Sequence, residues 1–323
     1  MSRKIKYIFF ILFFPFTHLA QQQDTIKIKK ILEEVNINAL RASEKTPIAF
    51  TNINKENIER NNLGQDLPYL ISFSPSIITT SDAGSGIGYT SLRIRGTDPT
   101  RINVTINGIP LNDSESQGVW WVNMPDFSSS IDNIQIQRGV GTSTNGAASF
   151  GASINLKTNG LRKNAYLITN NTFGSFSTLK NNLEFGTGLL NNRFSFDGRL
   201  SKISSDGYID RATSDLKSLY IQGSYFYNKS VLKGIIFSGH EKTYQAWYGV
   251  PLDYQTDNRT FNYYTYDNEI DNYKQTHYQL HYTKKINDVT NYNFSYHYTH
   301  GEGYYEQEKL EELFEDYNLN NII

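Results

Sequence analysis

The chain has 323 residues, with 31 basic and 32 acidic side chains. Its near-zero net charge gives no electrostatic support for nucleic acid as a partner. The absence of cysteine excludes disulfide bonds, thiolate metal sites and cysteine nucleophiles. Aromatic content is high at 14%, whereas a hydrophobic content of 38% argues against a helical membrane protein.

The N-terminus has the pattern of a secretory signal peptide. A basic region at residues 3–6 precedes an apolar run over 7–16, which is too short for the roughly 20 residues of a membrane-spanning helix. Ala20 is a plausible last residue before cleavage. We therefore predict a signal peptide over residues 1–20 and export from the cytoplasm, with a short membrane anchor as the alternative.

Residues 21–160 contain only 8 aromatic residues and are rich in Gly, Ser and Asn, which is typical of a small mixed domain. Asn107-Gly108 between two apolar segments is a strong hairpin signal, and Pro125 suits the first turn of a helix. The predicted elements, in chain order, are an extended segment at 33–37, helices at 54–60 and 65–71, a strand at 92–96, a hairpin over 102–111, a strand at 131–137, a Gly-rich turn with a short helix at 139–151, and a strand at 152–158.

Residues 161–323 contain 31 aromatic residues and alternate between apolar and polar positions. In residues 290–300, for example, aromatic side chains occupy every even position from 292 to 298. This period of two predicts strands with one aromatic face and one face of His, Asn, Gln, Asp and Arg. The predicted strands are 164–173, 177–188, 192–203, 216–227, 230–241, 274–285 and 289–300. The predicted connections are tight at 189–191, 228–229 and 286–288, long at 204–215 and 242–273, and short at 174–176.

A soluble β-sandwich also alternates, so alternation by itself leaves two classes open. Strands of about ten to twelve residues are longer than is usual in soluble sheets. Aromatic residues near strand ends, with short turns on one side and long loops on the other, favour a membrane β-barrel. Seven strands is an odd number, and an open sheet leaves unpaired backbone edges in lipid. We therefore expect the chain to be the front part of a longer protein.

The first region contains a series of short motifs, which are Leu92–Gly96, Val104–Pro110, Ile131–Gly139, and the segments 145–148 and 151–156. In their residues and their order, these motifs resemble the plug domain of TonB-dependent outer-membrane receptors. Glu33–Ile37 resembles the energy-coupling box that precedes the plug, with an ordinary linker as the alternative. Asn107 and Gln135 stand where the family often carries Asp and Glu, and both keep hydrogen-bonding capacity.

The resemblance implies the fold class and the domain organisation. The fold is a membrane β-barrel, here the first seven or so of 22 strands, with an N-terminal α+β plug domain. The implied domains are the signal peptide at 1–20, an N-terminal segment with the box-like stretch at 21–44, the plug at 45–160 and the first part of the barrel at 161–323.

The resemblance also implies site residues. The TonB–ExbB–ExbD energy-coupling complex would pair by β-augmentation with the box strand, at Glu33, Glu34, Val35, Asn36, Ile37 and Asn38. Arg95 and Arg138 would lock the plug to barrel carboxylates, most of which lie beyond this sequence. Aromatic and polar residues of the plug apices and outer loops would bind the ligand. These candidates are Tyr89, Asp113, Gln117, Trp120, Trp121, Trp247 and Tyr248, with packing against the barrel wall as the alternative for the adjacent pair Trp120 and Trp121.

The implied function is energised uptake of a scarce solute across the outer membrane of a Gram-negative bacterium. A ferric siderophore or other iron complex is the expected ligand, and cobalamin or haem are alternatives. The alternative class is a non-transporting fragment, or a surface adhesion or phage-docking protein. We expect no cofactor, no metal site and no enzymatic activity, because no nucleophile–base set is recognisable. His277 could face His297 across a turn, and a polar pair in the lumen is the expected role.

Overall fold

The computed structural model describes residues 41–140, 148–287, 289–310 and 312–320. All of them belong to one compact unit. The predicted signal peptide, the box-like segment at 33–38 and residues 145–147 of the last plug motif lie outside the described residues. Within the described ranges, no helix is both long enough and apolar enough to cross a membrane.

The described residues up to 158, called here the N-terminal part, form a mixed sheet with short helices. Its strands and helices, in chain order, are β1 (Ala49–Asn54), α1 (Lys55–Asn61), α2 (Leu67–Leu70), β2 (Ile77–Ser81), β3 (Thr90–Ile94), β4 (Ile102–Ile106), β5 (Ile109–Pro110), β6 (Ile131–Arg138) and β7 (Ala152–Thr158). Among described residues, five strands pair in the order β1-β6-β7-β4-β5, and β2 pairs with β3. Because β4 runs parallel to β7 whereas β6 runs antiparallel to it, the sheet is mixed.

Isoleucine fills the core of the N-terminal part. Ile134, Ile136 and Ile154 on the two central strands are each 0% exposed. Their branched side chains suit a pleated sheet that is covered on both faces. Asn54 caps helix α1, because its side chain accepts a hydrogen bond from the backbone N–H of Asn57. The one buried residue of the helix, Ile58, packs into the same core.

The second half of the described chain forms one large antiparallel sheet. Its strands are β8 (Tyr166–Phe173), β9 (Leu179–Gly186), β10 (Phe194–Ser205), β11 (Ser214–Tyr227), β12 (Ser230–Tyr244), β13 (Ile270–Lys285) and β14 (Asn291–Tyr305). Within the ranges described, these seven strands pair in strict chain order. The seven strands predicted from alternation are thereby confirmed, and so is the fold class of an α+β domain followed by part of a barrel-type sheet.

The connections of the large sheet differ in length between its two ends. At one end, β10 joins β11 through residues 206–213 and β12 joins β13 through residues 245–269. At the other end, β11 joins β12 through residues 228–229 alone. We call these the long-loop end and the short-turn end. The predicted alternation in length is therefore present from β10 onward, whereas the first two connections depart from it, since residues 174–178 at the long-loop end are fewer than residues 187–193 at the short-turn end.

The polar face of the large sheet is the buried one. On β10, Asp197, Arg199 and Ser201 are 6%, 3% and 8% exposed, whereas their neighbours Phe196 and Leu200 are 40% and 50% exposed. The polar side chains point toward the N-terminal part and the apolar ones point away from it. This is the reverse of a soluble protein, which buries its apolar face.

Two short elements differ from prediction. The helix expected over 65–71 is a single turn at Leu67–Leu70, and Pro125 precedes a 3₁₀ turn at Phe127–Ser130 instead of an α-helix. Strands β1 and β2 were not predicted, because five or six residues without clear alternation give little local signal. Their pairing with β6 and β3 determines their conformation.

Candidate functional site

Aromatic residues from both halves of the chain meet at the long-loop end of the sheet. The Tyr89 ring lies 6.1 Å from Trp120 and 5.6 Å from Trp247, in edge-to-face geometry. Trp247 continues the contact to Tyr264 at 6.2 Å and to Tyr305 at 6.0 Å between ring centroids. We call this group, together with Tyr248, which stacks on Tyr264 at 5.2 Å, the aromatic cluster. It brings together four of the predicted ligand residues, which are Tyr89, Trp120, Trp247 and Tyr248.

The aromatic cluster combines exposed and anchored side chains. Trp120 is 52% exposed and Tyr248 is 72% exposed, so both present ring surface to solvent. Tyr89 is anchored, because its hydroxyl donates to Asp271 on β13 and, at 3.4 Å, to Glu241 on β12. Burial and these two carboxylates raise the pKa of the Tyr89 phenol, which keeps it protonated as a donor. Hydrogen bonds to the sheet therefore hold Tyr89 in place, whereas the rings of Trp120 and Tyr248 are open to solvent.

A cavity of about 350 Å³ adjoins Trp120, between loop 110–124 and strands β13 and β14. Asp113 lines the cavity from the loop, and His277 and His297 line it from the strands. Both ring nitrogens of His277 already have partners, since Nδ1 lies 3.0 Å from the Thr299 hydroxyl and Nε2 lies 2.9 Å from the Gln275 side-chain oxygen. In the described part of the chain, no group of three or more His, Asp or Glu residues is placed to hold a metal ion.

Register places the two histidines differently from expectation. His277 pairs with Thr299, and Gln279 pairs with His297, so the histidines are diagonal instead of directly opposite. The His277 ring stacks on Phe237 at 4.4 Å between centroids. It is a packed, hydrogen-bonded residue of the sheet's inner face.

Three further candidates have structural roles within their loop. Trp121 is 6% exposed and packs in the core, so the packing alternative describes it better than ligand contact. Asp113 accepts hydrogen bonds from the backbone N–H groups of Glu115 and Ser116 at 2.9 and 2.7 Å, which lowers its pKa. Gln117 donates to the Ser114 carbonyl at 2.8 Å. Of Asp113 and Gln117, only Asp113 also lines the cavity.

The two arginines expected to lock the plug lie side by side near the end of β6. Arg138 donates to the Pro75 carbonyl at 3.0 Å and to the Thr51 hydroxyl, both within the N-terminal part. Arg95 has a left-handed backbone with φ 53°, and its guanidinium approaches Gly139. Burial and the neighbouring Arg95 charge lower the pKa of Arg138. The proposed pairing of these arginines with barrel carboxylates stays a prediction.

A buried ionic group joins the N-terminal part to the large sheet at Asp126. Its carboxylate lies 2.6 Å from Lys180 Nζ on β9 and 3.2 Å from Arg199 Nη1 on β10. The Asp126 side chain is 0% exposed and its two partners are 1% and 3% exposed. Asn182 and Ser201 also donate to the carboxylate, at 2.6 and 2.5 Å. Burial opposes ionisation, but the two cations outweigh it and hold the pKa of Asp126 well below its usual range.

Sequence reasoning missed the Asp126 group, although it noted the polar face that carries Arg199. Strands β9 and β10 pair so that Lys180 lies opposite Ile203 and Asn182 lies opposite Ser201. This register places Lys180 and Arg199 on neighbouring strands, within reach of one carboxylate. Their joint approach to Asp126 depends on how the N-terminal part is seated on the sheet. The only available signal was the period of two, which places both cations on the polar face.

Comparison with known proteins gives a family match within the N-terminal part. Residues 42–153 match the family model described as TonB-dependent Receptor Plug Domain. No curated protein sequence matches the chain.

Solved receptors share the fold at low identity. The closed form of the ferric-catecholate import receptor Fiu from E. coli K12 is 15% identical with a TM-score of 0.68, over 85% of this chain and 40% of that one. FpvA of P. aeruginosa, in complex with a pyoverdine and iron, is 16% identical with a TM-score of 0.63, over 76% and 32%. The copper transporter OprC is 12% identical with a TM-score of 0.60, over 79% and 37%.

Residues 42–153 therefore match the plug-domain family of TonB-dependent receptors, and the sheet that follows has the fold of part of the barrel of such receptors. The chain spans about 40% of the length of the Fiu receptor structure. The family is a transporter family and not an enzyme family, in agreement with the prediction that the chain is no enzyme. Its members are found in the outer membrane of Gram-negative bacteria.

Proposed function

We propose that this chain forms the plug and the first barrel strands of an energised outer-membrane transporter that imports a ferric siderophore or another iron complex. The observation that carries the proposal is the inverted large sheet, whose polar face covers the plug while its apolar face is exposed. Such a face is stable in lipid, because exposed apolar side chains of this extent are costly in water. The long-loop end is then extracellular and the short-turn end periplasmic.

The aromatic cluster is the proposed ligand site. Its exposed rings, Trp120 and Tyr248, lie at the extracellular end, where a ligand arrives first, and the partly buried Trp247 contacts Tyr89. Large rigid rings give contact area at low conformational cost. Iron complexes are favoured because the structurally similar receptors include a ferric-catecholate import receptor and a receptor bound to a pyoverdine and iron, whereas the similar copper transporter OprC has a different cargo.

Coupling to an energy source is the second half of the proposal. A ligand that binds tightly is released slowly, so its onward movement through a filled pore requires work. The periplasm-spanning TonB–ExbB–ExbD complex supplies that work by pairing with Glu33–Asn38, and the signal peptide over 1–20 directs export. The domain limits at 21–44, 45–160 and 161–323 belong to the same proposal.

Tryptophan fluorescence tests the ligand site by comparison of variants, because tryptophans of this chain lie in the aromatic cluster. Two of them, Trp120 and Trp247, belong to the aromatic cluster and the third, Trp121, is packed in the core. We expect a matching ferric siderophore from a catecholate, hydroxamate and citrate panel to quench the fluorescence of the purified receptor in a saturable way. The double variant Trp120→Phe/Trp247→Phe should lose the part of this quenching that the two rings contribute.

A matched control separates local from global effects in this titration. Tyr317→Phe changes an exposed aromatic residue outside the cluster and should leave the affinity unchanged. Equal quenching in the double variant and the unchanged receptor would place the ligand elsewhere. Saturable quenching by haem or cobalamin, and by no iron siderophore, would replace the proposed ligand class.

A further inference from the structure

Near the start of the plug, the backbone of Ala42 is hydrogen-bonded by the side chain of Gln135 on β6. The backbone N–H of Ala42 donates to Gln135 Oε1 at 2.7 Å, and the Ala42 carbonyl accepts from Gln135 Nε2 at 2.9 Å. One side-chain amide therefore satisfies both backbone groups of one residue, as a neighbouring strand would. Ala42 and Gln135 are 9% and 2% exposed, so water does not compete for these bonds.

The Gln135 amide is fully used and its orientation is fixed. Beyond Ala42, Oε1 accepts from the Gln137 side chain at 2.9 Å, and Nε2 donates to Asn52 Oδ1 at 2.9 Å. Asn52 belongs to β1 and lies opposite Gln135 in the β1–β6 pairing. A carboxylate at position 135 could accept from the Ala42 N–H but could not donate to its carbonyl.

Arg41 adds a second set of contacts at the same point. Its guanidinium donates to the Asn155 carbonyl on β7 at 2.8 Å, and to both the side chain and the carbonyl of Asn133 on β6. Burial lowers the pKa of Arg41, although the nearby Asp132 opposes the shift. Hydrogen bonds from a charged donor to main-chain carbonyls are stronger than hydrogen bonds between two neutral groups. Arg41 thus ties the entering chain to the two central strands.

The path of the chain makes these contacts the first ones that an N-terminal pull would load. After Ala42 the chain turns, with the Thr46 N–H bonded to the Ser43 carbonyl at 2.8 Å, and β1 begins at Ala49. Strand β1 is at the edge of its sheet and pairs with β6 alone among the described strands. A force applied before residue 41 therefore reaches Arg41 and Ala42 before it reaches β1.

We propose that Arg41 and Gln135 form a load-bearing clamp, which resists tension on the N-terminal segment and passes it to β6 and β7 before β1 separates. This inference rests on the proposed function, because only an energised transporter pulls on that segment. The clamp is a pair of positioning residues, and its rupture sets the force at which the plug begins to open.

Single-molecule pulling tests the clamp. The complete receptor is held in a lipid bilayer and pulled through a handle attached at residue 33. We expect a first rupture that releases the chain between Ala42 and Ala49, at most about 25 Å of length, before a larger event in which β1 leaves β6. Gln135→Leu and Arg41→Met should remove the first event and keep the later one, which also reports that the plug is folded.

Two more variants complete the experiment. Arg60→Met removes an exposed helical ion pair with Glu56 and should leave the first event unchanged. Gln135→Glu keeps an acceptor for the Ala42 N–H and should restore the event at reduced force. If Gln135→Leu ruptures like the unchanged receptor, the clamp proposal is overturned. The measurement needs neither ligand nor energy-coupling complex, so its failure is distinct from a failure of transport.

Discussion

At the scale of single residues, Asp126 is a fully buried acid that joins the plug to the sheet. A carboxylate removed from water is costly, and the two buried cations offset that cost together with side-chain donors from Asn62, Ser129, Asn182 and Ser201. The arrangement reverses the polarity expected for the plug lock, with the acid on the plug and the cations on the sheet. Breaking it by removing one partner leaves uncompensated buried charge.

The Asp126→Asn variant should therefore be strongly destabilised. The substitution keeps the shape but leaves Lys180 and Arg199 buried without a counter-charge, and we expect a loss of about 3–5 kcal/mol in the free energy of plug unfolding. Denaturant unfolding of the receptor in detergent measures it. The matched control is Asp215→Asn, which removes an exposed pair with Lys202 at 3.6 Å and should cost about 0–1 kcal/mol. Equal losses in both variants would refute the role given to Asp126.

A second residue-scale prediction concerns pH and the loop that carries Tyr89. Asp66 is buried, and this burial raises its pKa to about 7, although hydrogen bonds from Thr90 and Gly88 oppose the shift. Because the folded pKa is above the unfolded value near 4, the stabilisation is complete below about pH 4 and is lost as pH rises through 7. Protection of the 84–89 amides in hydrogen exchange should fall accordingly, by up to about 1.4 kcal/mol per pH unit in between.

The Asp66→Asn variant should abolish that dependence, because an amide stays neutral at every pH. The exposed Asp257→Asn variant serves as the control and should behave like the unchanged protein. A flat protection profile in the unchanged protein, or an unaltered slope in Asp66→Asn, would contradict the assignment of this effect to Asp66.

At the scale of elements, strand β12 and the plug approach each other through a glycine. A Cβ built on Gly239 would lie 2.0 Å from the Asn123 carbonyl oxygen, in the 3₁₀ turn that follows Trp120. No side chain fits in that gap, because backbone atoms bound it on the plug side. The close contact brings loop 110–124 next to the sheet and so positions Trp120 in the aromatic cluster.

Gly239→Ala should displace the plug, whereas Gly234→Ala in the same strand should not, because a Cβ at Gly234 meets nothing within 4 Å. We expect the first variant to lose about 1–3 kcal/mol of stability and to shift the environment of Trp120. Unfolding measurements and tryptophan fluorescence report the two effects. If both glycine variants give the same result, the contact at Gly239 does not position the plug.

Strands and helices could be predicted where the sequence has a local hydrophobic period. Contacts between these elements could not be predicted from such a period. The aromatic alternation of 290–300 identified β14, since each side chain in a strand takes the face opposite to its neighbour's. The same rule could not tell Trp120, at 52% exposure, from Trp121, at 6%. Neither the clamp at Gln135 nor the Asp126 group has a local signature, because each depends on residues at least 54 positions apart.

At the scale of the whole molecule, the two parts are complementary in polarity. Lys180, Arg199 and Glu241 of the sheet point toward the plug. On the plug, Asp126 pairs with the two cations and the Tyr89 hydroxyl donates to Glu241. The outer face of the sheet is left apolar. The contact also has an apolar part, in which the Phe127 ring of the plug lies 6.3 Å from Tyr220 and 4.9 Å from Phe237 on the sheet. The polar and ionic part can be released by work and can re-form, whereas a continuous apolar interface of equal extent would resist such cycling. This polarity suits a pore that is filled at rest and opened by force.

The most direct test of the central claim is energised uptake by cells that make the complete receptor. Cells are given the labelled ferric siderophore that quenches the tryptophans, before and after collapse of the proton-motive force, with the Val35→Pro variant in parallel. We predict saturable accumulation that stops on collapse and is lost in Val35→Pro, since proline removes a backbone donor from the paired strand, while surface binding persists in both cases. Accumulation that continues without the proton-motive force, or binding that never leads to accumulation, would contradict the account.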